Sequence, residues 1–359
     1  MGRSNVTPKI FFRAWTVAIC CLAICESSAH ATPPHDLLVS ARFGNNLLRY
    51  SGASGAFQRQ FNIGGGLSNP AGVAYDANGY LFMANFNTNQ VMRFAPDGTF
   101  VQVFSSNVDA PGFGLPLALT FGPDHNLYVT SNVTAGVYAF SGTTGAFIRV
   151  AASGNGLSGA TGLTFVPNGE LFVSSAGTNQ ILRFDGTSGA FLGTFGTGVA
   201  LSNPTDMKVG LDGALYVAST LNNRIHRYDL TTGVGQVFAT GFSRPIGLAF
   251  DASGNLYVAN QLGNNVLRFA PNGDPLGVFV SAGSGGLNGP NYMVFAPAQP
   301  DCDGNGLFEL SQDTACFIDV LIGINTDPAA IDRNDFTGDS LANGLDVPGF
   351  VNCALNGCS

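Results

Sequence analysis

The residues best suited to chemistry lie in the last part of the chain. In Asp301-Cys302-Asp303-Gly304-Asn305-Gly306-Leu307-Phe308-Glu309, oxygen-bearing side chains recur at alternate positions, with glycine sixth and an apolar residue eighth. That spacing lets one loop wrap a hard cation such as calcium, with the glycine making the sharp turn. The expected ligands are Asp301, Asp303, Asn305, the Leu307 carbonyl and Glu309, and Gln312 stands twelfth, where a carboxylate is usual. A second loop begins 34 residues later, with Asp335, Thr337, Asp339, Asn343 and Asp346 at positions one, three, five, nine and twelve, and Ser340 in place of the turn glycine. An apolar segment follows each loop, Phe317 to Ile322 and Phe350 to Leu355, and suits a pair of short helices. Their core is small, so bound Ca2+ would supply much of the stability.

The surrounding composition marks this as a separate module. From Asp301 to Ser359 there are 10 acids and a single base, Arg333, whereas Thr32 to Pro300 holds 12 acids and 11 bases. Cys302, Cys316, Cys353 and Cys358 all fall in the acidic segment and suggest two disulfides. Three pairings are open, of which Cys316 with Cys353 and Cys302 with Cys358 is the working choice. The start of the chain reads as an export signal: Arg3, Lys9 and Arg13, an apolar run from Ala14 to Cys25, then Ala29-His30-Ala31 as a cleavage site. A secreted or cell-surface protein is therefore expected, with residues 1–31 removed and no membrane span. Nothing in the charge distribution offers the basic surface that nucleic acid requires.

Between these ends the chain repeats itself. The triplets beginning at Leu37, Leu81, Leu127, Leu171, Leu215 and Leu256 are variants of Leu-Tyr-Val, spaced 44, 46, 44, 44 and 41 residues apart. A period of that length means a stacked or circular array whose units cover one another's apolar faces. Each unit resolves into four short runs: a Gly-led strand such as Gly72-Val73-Ala74-Tyr75, the triplet strand, a strand such as Val91-Met92-Arg93-Phe94, and a run ending in phenylalanine near Phe61, Phe195, Phe238 or Phe279. Four strands with tight turns make a propeller blade. The first triplet precedes any Gly-led strand, while Tyr292 to Phe295 is a Gly-type strand with no triplet after it. The two must pair, which closes an all-β, six-bladed propeller over residues 32–300 with a clasp between its N- and C-terminal strands.

The pattern from Asn69-Pro70-Ala71-Gly72-Val73-Ala74-Tyr75 to Asn89-Gln90-Val91-Met92-Arg93-Phe94 resembles NHL-repeat propellers. Residues 301–359 resemble a type I dockerin, an α-helical calcium-loop module of EF-hand-like design, through Asn343 and Asp346 and the apolar helix start after them. That resemblance implies a cohesin-type or cell-surface protein partner. Related propellers of the senescence-marker protein and gluconolactonase family bind a divalent metal in the channel, just before the Gly of each first strand. The matching positions here are Ala71, Leu117, Thr161, Thr205, Ile246 and Asn291, so Asn291 alone suits a metal. Streptogramin-lyase-like propellers imply a His/Glu base or a His-rich metal site. The mature chain offers His35, His125, His226 and, before the acidic tail, Glu170, and a structural role is expected for each histidine.

Two further features sit at the expected channel. Asp206 replaces the first-strand Gly of its blade, and Lys208, two residues on, shares its side. Such a pair either holds a ligand or neutralises itself, and self-pairing is the expectation. Arg49, Arg93, Arg183, Arg227 and Arg268 recur in one slot of five blades, which reads as a packing device between blades rather than an anion ring. The connections after the triplet strands carry Arg42, Asn85, Asn87, Asn132, Ser175, Ser219 and Asn260 and are expected to surround one channel mouth.

Two functional readings follow. In the first, a non-enzymatic binding or scaffold propeller is tethered through its calcium-dependent tail. In the second, Asp206, Asn291, Asn85 and Asn260 gather a divalent metal for a lactonase or lyase in the channel.

Overall fold

The computed structural model describes residues 35–297. The export segment, both calcium loops with their ligands from Asp301 to Asp346, and Cys302, Cys316, Cys353 and Cys358 lie outside the described residues. Among the described residues, 24 strands form six antiparallel sheets of four. The first strands of blades two to six are Pro70–Tyr75, Pro116–Phe121, Ala160–Phe165, Pro204–Val209 and Pro245–Phe250. Blade one joins Pro290–Phe295 to Leu37–Ala41, Asn46–Tyr50 and Phe57–Gln60. Leu37 there faces Phe295 and Val39 faces Met293, so the clasp expected from the order of runs is formed. Each first strand packs against those of both neighbouring blades, and the ring closes around a central channel.

First strands start two residues before their Gly position, and five of the six start at proline. Proline has no N–H to give a ladder, so it suits the opening residue of a strand. A shift of register follows in every blade, as between Pro70 and Val73 or Pro204 and Met207. Glycine is required where neighbouring first strands touch: a Cβ on Gly162 would collide with the Thr205 carbonyl, and one on Gly247 with that of Asn291.

The repeated triplet owes its middle residue to the packing between blades. Phe82 meets Phe104 of its own fourth strand at 4.7 Å and Phe121, which ends the next blade's first strand, at 5.1 Å, both edge-on. Tyr216 repeats this with Phe238 and Phe250, and Tyr257 with Phe279 and Phe295. Such pairs contribute about 0.5–1.5 kcal/mol each beyond their buried area. The second strands are accordingly buried along their whole length, save for Glu170 at the start of blade four's.

A second device staples the ring. Asn45, Asn89, Asn179, Asn223 and Asn264, at the end of the connections between second and third strands, all adopt positive φ. Each side-chain oxygen accepts the backbone N–H of the residue before the next blade's first strand: Asn69, Leu115, Asn203, Arg244 and Gly289, at 2.7–2.9 Å. Asparagine fits twice over, since it tolerates the left-handed region and carries a short acceptor. The recurring arginines act within blades, not between them. Arg49 pairs with Asp36 at 2.7 Å, Arg183 with Glu170 at 2.8 Å and Arg227 with Asp212 at 2.7 Å, each an acid before or at the start of the second strand of the same blade. Arg93 lies over the Tyr80 ring, 3.7 Å from its centroid.

Candidate functional site

The channel is lined by the first strands, and its middle tier is set by one position per blade: Gly72, Ala118, Gly162, Asp206, Gly247 and Tyr292. Two of these carry reach. Tyr292, in blade one, donates its hydroxyl to the carbonyl of Thr161 in blade four at 2.7 Å. Those blades stand opposite each other in a ring of six, so the phenol crosses the channel. Burial, with the Asp206 charge adding to it, holds the Tyr292 hydroxyl well above the ordinary phenol range, and it stays protonated as a donor.

Asp206 is 1% exposed. One carboxylate oxygen accepts the Met207 N–H at 2.9 Å, the other accepts the Leu248 N–H of the next blade at 3.0 Å, and Lys208 Nζ stands 3.4 Å from the first. Burial raises the Asp206 carboxyl from the ordinary range, against the pull of Lys208 and the two N–H donors. The side chain thus ties blade five to blade six, and self-pairing with Lys208 is what the geometry contains.

The other residues read from sequence as channel donors stand apart. Asn85 accepts the Ser68 N–H at 2.7 Å and Asn260 the Ser243 N–H at 2.6 Å, so both oxygens hold the loop that enters their own blade. Ser131, Ser175 and Ser219 bond the same loop in their blades. Asn291 donates to the Pro70 carbonyl of the next blade at 3.3 Å, as Thr161 of blade four donates to that of Pro204 in blade five. Among the described residues no three His, Cys, Asp or Glu side chains gather as metal ligands.

The candidate bases also lie elsewhere. His35 contacts the Ala296 carbonyl at 2.9 Å beside the clasp, His125 occupies a turn at positive φ, and Glu170 is paired with Arg183. His226 is 1% exposed on a third strand, has no partner for either ring nitrogen, and is held below the ordinary histidine range by burial. The residues therefore do not fit a His/Glu base or a His-rich metal centre in the channel.

The mouth above Tyr292 was only partly legible. The residue directly after each second strand turns toward it: Arg42, Phe86, Asn132, Ala176, Thr220 and Gln261. Thr220 shows the direction, bonding the Pro245 carbonyl at 2.8 Å and the Thr205 hydroxyl at 2.9 Å. Arg42 lies over the Phe86 ring at 5.4 Å, and both burial and the charge of Arg244 lower its pKa. Gln261 and Arg244 were missed. Their signal was columnar: Arg244 shares the positive-φ position of Asn69, Gly159, Asn203 and Gly289, and Gln261 the position of Arg42.

No curated protein matches the chain. Among solved structures, a chain of a nidogen/laminin complex is 14% identical over 73% of this chain and 98% of its own, with a TM-score of 0.59. A protein of unknown function from Bacteroides caccae is 14% identical over the same shares, with a TM-score of 0.56. A streptogramin B lyase is 17% identical over 68% of this chain and 74% of its own, with a TM-score of 0.50. These likenesses establish the propeller fold. The Virginiamycin B lyase family model matches residues 58–276, well over half of the chain, and the protein belongs to that family.

Proposed function

We propose that this member of the family is an exported ligand-binding propeller that recognises its target at the channel mouth without turning it over. The observation that carries this is the state of the channel's reactive groups: the Asp206 carboxylate is spent on two backbone N–H groups and Lys208, and the Tyr292 hydroxyl on Thr161. A general base needs a free acceptor within reach of a substrate proton, whereas His35 contacts the Ala296 carbonyl beside the clasp, Glu170 is paired with Arg183, His125 lies in a turn between first and second strands and His226 is buried on a third strand. Prolonged incubation with a streptogramin B, the compound class in the name of the similar lyase, followed by chromatography, tests the reading, and formation of a new product would overturn it.

A lyase is the second reading, favoured by the family match over residues 58–276. It requires a base other than the four residues above, and the same incubation decides between the two.

Attachment through the acidic tail completes the proposal. Its support is the paired oxygen spacing of Asp301 to Glu309 and Asp335 to Asp346, which suits two Ca2+ ions and a cohesin-type or cell-surface partner. Calcium titration of the full mature chain against a form ending at Pro300, read by circular dichroism, checks it. Equal responses from the two forms would remove the tail's role.

A further inference from the structure

Charge is segregated along the channel axis. Of the 12 carboxylates between Asp36 and Asp274, nine lie in or beside the turns that join first to second or third to fourth strands, Asp36 lies at the same edge beside the clasp, and Asp206 is inside the channel. Asp109 alone stands on the opposite set of connections, where one of its oxygens accepts from the Ser106 N–H and hydroxyl. That same set carries Arg42, Arg224 and Arg244. No salt bridge reaches any of these three arginines among the described residues.

Two groups at this mouth are buried without partners. Arg42 Nε makes no hydrogen bond, and neither the amide nitrogen nor the oxygen of Gln261 does, although Gln261 is 1% exposed. Leaving such groups unsatisfied costs on the order of a lost hydrogen bond each, and these two follow the second strands of neighbouring blades, which makes the mouth a candidate site. Arg244 adds a backbone observation. It holds φ at 61° in a column otherwise rich in glycine and asparagine, and its carbonyl accepts the Gln261 N–H at 3.1 Å.

An apolar rim surrounds these polar groups. The second residue of the connection between second and third strands is Phe43, Val133, Leu221 and Leu262 in four blades, exposed by 55–65%. Large side chains in solvent around a basic centre match a ligand with an apolar body and an anionic head.

We propose that this mouth binds a small amphipathic anion, its carboxylate or phosphate oxygens held by Arg42, Arg244 and the Gln261 amide and its apolar part lying on the Phe43, Leu221 and Leu262 rim. The inference deepens the binding reading and rests on it. Planar guanidinium groups favour oxyanions, and the two arginines, which repel each other when free, both gain from one anion between them. The buried position of the Gln261 amide favours a small molecule that enters the mouth over a flat membrane surface.

Octanoate serves as the probe, with octanol as its uncharged counterpart, at constant ionic strength on the full mature chain. Octanoate is expected to raise the melting midpoint by about 3 °C at ten times its dissociation constant and further with the logarithm of its concentration, while octanol does not. The variant R42A/R244G is expected to lose affinity at least tenfold, and L221N/L262N more modestly. Both arginine replacements are ones the fold already accepts, alanine at Ala176 and glycine at Gly159 and Gly289, so misfolding does not confound the test. The inference is overturned if the arginine variant binds octanoate like the parent, if octanol acts equally, or if only anionic phosphatidylglycerol vesicles are bound. Streptogramin B turnover reports separately on the binding reading itself.

Discussion

The hydroxyl of Tyr292 lies 2.7 Å from the carbonyl oxygen of Thr161, joining the clasp blade to the blade facing it across the channel. A propeller built on neighbour contacts alone has no reason to link opposite blades. Here one phenol does so, at the level where every other first strand offers a glycine, an alanine or a carboxylate already in use.

Replacing Tyr292 with phenylalanine removes that bond and leaves a buried carbonyl unpaired. The expected loss is about 1–2 kcal/mol, read from the midpoint of urea unfolding with an unchanged slope. Retention of parental stability would mean that the bond contributes nothing to the ring.

Lys208→Met removes the cation beside Asp206. The Asp206 carboxyl is already raised by burial, and without Lys208 it rises further. A buried acid with a raised folded pKa is stabilising in its protonated form, so stability is lost as pH climbs through the folded value. The variant is expected to approach the parent near pH 4 and to fall about 2 kcal/mol short of it at pH 7, a discount on a fully buried pair because Lys208 is one-third exposed. Thermal unfolding across that range is the measurement.

His226 gives a slope of the opposite sign. The unfolded chain takes up a proton near the ordinary histidine pKa of about 6.5, whereas burial holds the folded imidazole lower. Stability therefore falls as pH drops from about 6.5 toward the folded value. His226→Leu, the residue found at the matching Leu182 and Leu267, should abolish that contribution and gain about 1–2 kcal/mol by removing two unpaired buried nitrogens. A proton-linked slope unchanged by the substitution would refute the assignment.

The blade staples can be isolated at Asn179. Asn179→Gly keeps the positive φ but loses the bond to the Asn203 N–H, while Asn179→Ala loses both. The expected cost is about 1 kcal/mol for glycine and about 2 kcal/mol for alanine, the difference being backbone strain. Equal losses would assign the whole effect to the hydrogen bond.

Sequence alone determined the architecture, because its signals are periodic and local. Six Leu-Tyr-Val triplets at near-constant spacing demand repeated blades, and the order of strand types at Leu37 and Tyr292 demands the clasp. Asp206 beside Lys208 was also readable as a self-neutralising pair, since residues two apart on a strand share a side. The meaning of the recurring polar residues was decided by tertiary structure. Asn179 and Asn223 end short polar stretches of sequence with nothing local to show that their oxygens serve the next blade, and Arg183 pairs with Glu170 across its own blade. Tyr292 meeting Thr161 and Arg42 lying over Phe86 depend on distances through the ring between residues from different blades. Such contacts leave no local pattern in a chain, because closure of the wheel sets which positions converge.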